Sequence, residues 1–150
     1  MLLYCCNPPI LAYSFVTSGM ASLSEEATHT TPAEARLPKF QPGWPKLGLD
    51  VNGSAYRVTK AALNMAFLNW VRIFEPDGVK CFSISPGILA TNLMGNAEAL
   101  RKAGAEDPSL GGEFIRDVME GKRDEDKGKV IRALFGDLAQ LSPKAQPLMK

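Results

Sequence analysis

Tyr56 and Lys60 stand four residues apart in a segment, residues 54–75, whose composition favours a helix. At that spacing both side chains rise from one helical face, one turn apart. A phenol alone is a poor acid or base at neutral pH, because its ordinary pKa is about 10. A neighbouring ammonium favours the phenolate and brings proton transfer within reach. The pair is therefore a sensible proton donor and acceptor for a carbonyl/alcohol couple. Tyr-x-x-x-Lys also arises as an amphipathic surface pair, so its meaning depends on what shares the site. Ser18 ends one apolar run, and Pro86, Gly87 and Thr91 follow another. Taken singly, Ser18 reads as a strand-end cap and Pro86-Gly87 as a turn before a helix. Taken together they lie where parallel α/β sheets place ligands, outside the carboxyl ends of the strands.

The elements that must position these residues follow from the pattern of apolar residues and breakers. Residues 10–17, ILAYSFVT, are apolar, aromatic and β-branched, and read as a buried strand. Residues 24–53 contain Pro32, Pro38, Pro42, Pro45, Gly43, Gly48 and Gly53, and read as a long surface loop with one short helical turn around Pro32-Ala33-Glu34. Ser54 then caps a helix whose apolar stripe is Val58, Ala61, Ala62, Met65, Ala66, Leu68 and Val71, stopped by Pro76-Asp77-Gly78. Residues 79–85, VKCFSIS, form the next strand. Strand, helix and strand with tight connections make a βαβ unit and a parallel sheet. Helices are expected at 94–103 and 112–119, and residues 130–135 form a strand or a short helix. The run from Lys122 to Lys127 alternates in sign and reads as a solvated turn. The tail, 136–150, carries two prolines and is irregular; no internal repeat is present.

Composition narrows the function classes. The chain has 150 residues, 45% apolar and 22% charged, with 17 basic against 16 acidic side chains. That is one domain's worth of sequence. A net charge of +1 argues against a nucleic-acid or anionic-membrane footprint. No apolar run approaches the roughly 20 residues of a membrane span. Cys5, Cys6 and Cys81 form neither a disulfide framework nor a metal-ligand spacing, so no metal is expected. Free thiols point to a reducing, cytoplasmic setting. The N-terminus lacks a basic region and contains Pro8 and Pro9, unlike a secretory signal. His29, the sole histidine, lies in a polar stretch and reads as a solvated loop residue.

The stretch YRVTKAALNMAFLNWVRIFEPDGVKCFSISPGILATNL, residues 56–93, resembles the C-terminal half of the short-chain dehydrogenases/reductases. The resemblance is close over residues 10–93 and looser to 132. DPSLGGEFIRDVMEGKRDEDKGKVI, residues 107–131, is similar to the region that follows in some fungal members. The family implies a Rossmann-type, doubly wound parallel sheet with helices on both faces, here without its N-terminal half. It implies an oxidoreductase that moves a hydride between NAD or NADP and a small carbonyl or alcohol. Tyr56 would be the acid/base. Lys60 would assist it and hold the nicotinamide ribose, and Ser18 would polarise the substrate carbonyl. Pro86, Gly87 and Ile88 would pass along the nicotinamide, and Thr91 would contact its carboxamide or the phosphates.

Two departures from the family pattern matter. The stretch between Ser18 and Tyr56 is much longer than usual, the excess falling at 24–53. No TGxxxGxG or GxGxxG run occurs among the 13 glycines, so the usual pyrophosphate cradle is missing. Two alternatives to an active oxidoreductase follow. One is a truncated chain that keeps the catalytic rim without binding dinucleotide. The other is an interaction module that pairs through an exposed strand edge at residues 10–17. A homo-oligomer is the remaining candidate association.

Overall fold

The computed structural model describes residues 2–5, 10–28, 41–45 and 53–133. Its centre is a set of three parallel strands, β2 (Ile10–Val16), β3 (Lys80–Ser85) and β4 (Val130–Arg132). A fourth strand, β1 (Leu2–Cys5), lies antiparallel on the other side of β2, giving the order β1-β2-β3-β4. The architecture is a partial Rossmann-like α/β fold, as the sequence implies.

β1 adds an antiparallel strand beside the expected parallel ones, and it narrows the expected bare edge: residues 10–13 are paired, while among the described residues no strand pairs with residues 14–16 on that side. Leu2 pairs opposite Tyr13 and Cys5 opposite Ile10, so backbone of the same chain occupies the position a partner strand would take. An antiparallel neighbour needs only a short connection; a parallel one would need a crossover.

The crossover from β2 to β3 contains α2 (Ser54–Phe74), preceded by α1 (Leu23–Thr28). α1 falls inside the stretch read as loop, where its only signals are a Ser-Glu-Glu-Ala run too short to show periodicity. Residues 29–40 and 46–52 lie outside the described residues, with them His29 and the expected turn at Pro32-Ala33-Glu34. α2 begins at the expected cap itself, one residue early. Gly53, at φ 60°, is the cap and accepts the Arg57 N–H at 2.9 Å, while Ser54 is the first helical residue. That left-handed backbone suits a residue without Cβ.

The buried face of α2 is also rotated from the expected stripe. Asn64 and Phe67 are buried, whereas Val58 and Met65 are 68% and 58% exposed. Aromatic bulk decides the orientation. Phe67 packs on Phe15 with ring centroids 5.7 Å apart, and Phe74 on Tyr13 at 5.8 Å. The alanines that defined the stripe bury too little surface to compete. Buried Asn64 accepts a hydrogen bond from Ser83 Oγ at 3.2 Å, which joins α2 to β3.

The opposite face of the sheet is covered by α4 (Pro108–Met119), reached through the short α3 (Ala97–Lys102). Phe82, Ile84, Val118 and Ile131 form the core there, with Phe114 and Ile115 against it. Alternation along β3 sends Ser83 towards α2, and Phe82 and Ile84 towards α4. Both helix starts differ from expectation because of caps. Asn96 accepts the Ala99 N–H at 3.0 Å and delays α3, after a 3-10 turn at Asn92–Met94. Asp107 accepts the Ser109 N–H at 2.9 Å and, with Pro108 as the first helical residue, starts α4 earlier.

The charged run after α4 is not a simple solvated turn. A 3-10 turn at Asp124–Asp126 buries Asp126, which Arg123 and Lys129 contact at 2.5 and 3.1 Å. Asp124 pairs with Lys80 at the start of β3. Residues 134–150, which include the expected irregular tail, lie outside the described residues.

Candidate active site

The first turns of α2 meet the carboxyl end of β2. Tyr56 and Lys60 share the helical face their spacing predicts. The Lys60 ammonium lies 5.7 Å from the Tyr56 ring centroid and donates to the Val16 carbonyl at 2.7 Å. Lys60 thus links the acid/base candidate to the last residue of β2. Arg57, next to Tyr56, donates through Nε to the Met20 carbonyl at 3.3 Å. Two cations on adjacent helical turns therefore hold α2 against the chain on either side of Ser18.

Ser18 is half-buried and caps a 3-10 turn, Gly19–Ala21, with its Oγ accepting the Met20 N–H at 3.2 Å. The turn is bonded to the neighbouring strands as well. The Gly19 N–H donates to Ser85 Oγ at 2.9 Å, and Arg132 Nη2 donates to the Gly19 carbonyl at 3.1 Å. The other arm of Arg132, Nη1, reaches Glu25 of α1 at 2.6 Å. Thr17 continues the ladder by donating its N–H to Ile84 at 2.8 Å.

Pro86, Gly87, Ile88 and Thr91 leave β3 at the same end of the sheet. Gly87 is exposed with φ 91°, and Ile88 is 59% exposed. Thr91 accepts the Leu93 N–H at 3.4 Å. The segment is pinned at its middle: the Ala90 N–H donates to Glu106 at 2.8 Å, and the Glu106 N–H to Ile88 at 2.9 Å. Below it, Gly111 of α4 approaches so closely that a Cβ there would strike Leu89 Cδ1.

The structure therefore gathers Ser18, Tyr56 and Lys60 where β2 and α2 meet. It sets Pro86, Gly87, Ile88 and Thr91 on the adjoining strand end, linked to the first group through Ser85. A hydroxyl, a phenol and an ammonium at one rim can donate hydrogen bonds to an oxygen and exchange a proton with it. Among the described residues no cluster of His, Cys, Asp or Glu could hold a metal ion, and no helix is long and apolar enough to cross a membrane. Sequence reasoning missed Arg57, Ser85, Glu25 and Arg132. Ser85, directly before Pro86 at a strand end, was within reach of it. Glu25 and Arg132 were not, since 107 positions separate them and neither belongs to a motif.

Two known proteins are similar to this chain. Short-chain dehydrogenase/reductase eupG of Phoma sp is 46% identical over 116 residues, which is 74% of this chain and 40% of that protein. Short-chain dehydrogenase/reductase tropE of Talaromyces stipitatus is 41% identical over 131 residues, 87% of this chain and 47% of that protein. The chain spans less than half the length of either relative. No family model matches the chain, and no solved structure matches it.

Proposed function

The chain belongs to the short-chain dehydrogenase/reductase family, and from that premise we propose that its Tyr56–Lys60 rim serves hydride transfer between a nicotinamide cofactor, NAD or NADP, and a small carbonyl or alcohol. The residues present fit the nicotinamide end of such a cofactor. Lys60 offers a donor at the rim, Gly87 bare exposed backbone for a flat ring, and Thr91 a hydroxyl. No glycine run that would cradle a pyrophosphate occurs within the 150 residues. When bound, the nicotinamide supplies or accepts the hydride.

This chain's own residues handle the proton and the oxygen. In the reducing direction the Tyr56 hydroxyl gives its proton to the carbonyl oxygen as that oxygen becomes an alcohol; in oxidation it takes the proton back. The Lys60 ammonium stands beside Tyr56 and would hold the ribose hydroxyls. Ser18 donates a hydrogen bond to the same substrate oxygen and orients it. The odd count of three cysteines, which suits no disulfide framework, supports a reducing, cytoplasmic setting.

The observation that carries this reading is the Lys60 hydrogen bond to Val16, which fixes the Tyr–Lys pair at the strand end that presents Ser18. Tyr56→Phe tests it, with NADPH oxidation by benzil, an aromatic diketone, as the assay. The variant should lose turnover while NADPH affinity stays within about twofold, since only the transferable proton is removed. Retained turnover would remove Tyr56 from the mechanism.

A further inference from the structure

One peptide group at the rim is held from both of its ends. The Gly19 carbonyl accepts from Arg132 Nη2 at 3.1 Å. The N–H of the same peptide, that of Met20, donates to Ser18 Oγ at 3.2 Å. A peptide is planar and rigid, so fixing the oxygen fixes the direction of the N–H. We propose that Arg132 is a positioning residue of this site, acting on the Ser18 hydroxyl through the Gly19–Met20 peptide. The inference rests on the role given to Ser18 above.

The physical chain has three links. First, the guanidinium fork is divided between two partners. Nη1 is anchored on Glu25 at 2.6 Å, where both side chains are largely buried, at 26% and 16% exposure. The ion pair aims the other arm at Gly19. Second, a cation on a peptide carbonyl polarises the peptide, and its N–H becomes a better donor. Third, that N–H occupies an acceptor position on Ser18 Oγ. The hydroxyl proton is then turned away from Met20 and remains available to a substrate oxygen. Ser85 completes the arrangement by accepting the Gly19 N–H at 2.9 Å, which fixes the preceding peptide too.

Arg132 is suited to this task and lysine is not. A planar fork can bond a carboxylate and a carbonyl at once in fixed geometry, whereas an ammonium is a point charge on a flexible stem. Arg132 also ends β4, in register with Ser85 at the end of β3. Its backbone is thus set by the sheet rather than by a loop, which is the rigid support a positioning residue requires.

Arg132→Lys in the full chain, labelled with nitrogen-15, tests the proposal. The Met20 amide proton should move upfield and exchange with solvent about tenfold faster, while the Phe82 and Ile84 amides of β3 keep their protection. With NADPH and benzil, kcat should fall about tenfold and KM for NADPH should hold within about twofold. In a Ser18→Ala background the same substitution should leave kcat unchanged, because Arg132 acts through Ser18. Glu25→Gln, which keeps the residue's size, should move the Met20 amide in the same direction by less. An unchanged Met20 amide in Arg132→Lys would overturn the proposal. So would an equal fall in kcat with and without Ser18. Absence of benzil turnover in the unsubstituted chain would instead count against the proposed function, and the Met20 amide would then decide the clamp alone.

Discussion

The two ends of the parallel strands both use charged side chains, to different purposes. At the carboxyl end Lys60, Arg57 and Arg132 donate to the main-chain carbonyls of Val16, Met20 and Gly19. At the amino end Arg123 and Lys129 converge on the buried carboxylate of Asp126, and Lys80 pairs with Asp124. At the amino end the charged side chains bind chiefly one another and close a turn, whereas at the carboxyl end Arg132 keeps an arm for the backbone even while paired with Glu25. Side chains that bind backbone fix the path of the chain and leave neighbouring hydroxyls free. The first arrangement belongs to folding stability, the second to a site. If that division is right, substitutions at the amino end alter stability and spare the rim, and substitutions at the rim do the reverse.

The largest effect on stability is expected from Asp126→Ala. It removes the buried carboxylate that Arg123 and Lys129 share, leaving Arg123 only the exposed, more distant Glu125 as a carboxylate partner among the described contacts, and should lower unfolding stability by about 2–4 kcal/mol. Urea denaturation measures the loss, and the Met20 amide shift should not move. A loss under about 0.5 kcal/mol would show that the ion pairs are incidental.

The same carboxylate gives the comparison a pH dependence. Burial by itself would raise the Asp126 pKa, but hydrogen bonds from Arg123 and Lys129 prevail and hold it below the ordinary carboxylate range. The folded value is then below the unfolded one. The stabilisation is complete above the unfolded value, about pH 4, and is lost as pH falls through the folded value. Urea midpoints should drop on acidification below about pH 4, and Asp126→Asn should flatten that slope. An identical acid slope in Asp126→Asn would assign it to other carboxylates.

A smaller effect should cross the boundary between the two regions. Gly111→Ala places a Cβ against Leu89 Cδ1 and within 3.4 Å of Pro86 Cβ. The terminal methyl of Leu89 can turn aside, so the loss should be about 1–2 kcal/mol. Because Leu89 lies between Ile88 and Thr91, the Leu93 amide bonded to Thr91 should shift as well. A stability loss with no movement of the Leu93 amide would show that the Pro86–Thr91 segment is insulated from α4.

What the sequence made legible divides along the same line. β2, α2 and β3 were readable because each carries a local pattern: β-branched and aromatic runs, helix formers, and breakers such as Pro76-Asp77-Gly78. Tyr56 and Lys60 were readable because helical spacing is itself local. The face that α2 buries was not, since Phe67 and Phe74 choose it by packing on Phe15 and Tyr13, which belong to another element. Nor was the burial of Asp126 inside a run of alternating charge. Arg132 and Glu25 meet only because β4 and α1 come together at one strand end, and no spacing rule links residues so far apart. Residues 1–9 lacked a readable strand pattern, and the pairing of β1 with β2 supplies what local propensity does not.

The smallest effect is expected at Thr17, and it tests whether every polar group at the rim serves the fold. Thr17 is 3% exposed, and among the described residues no group lies within hydrogen-bond reach of its Oγ1. Its backbone is already used, with the N–H donated to Ile84. A buried hydroxyl without a partner is unfavourable, and an apolar group of the same shape relieves it. Thr17→Val should therefore leave stability unchanged or raise it by up to about 1 kcal/mol. Thr17 lies just past the end of β2, one residue before Ser18, where its N–H bond to Ile84 holds the backbone in place, so turnover should follow the unsubstituted chain. A loss of more than about 1 kcal/mol would mean that the hydroxyl is satisfied in solution. A fall in kcat with stability intact would place Thr17 beside Ser18 among the groups that position the substrate oxygen.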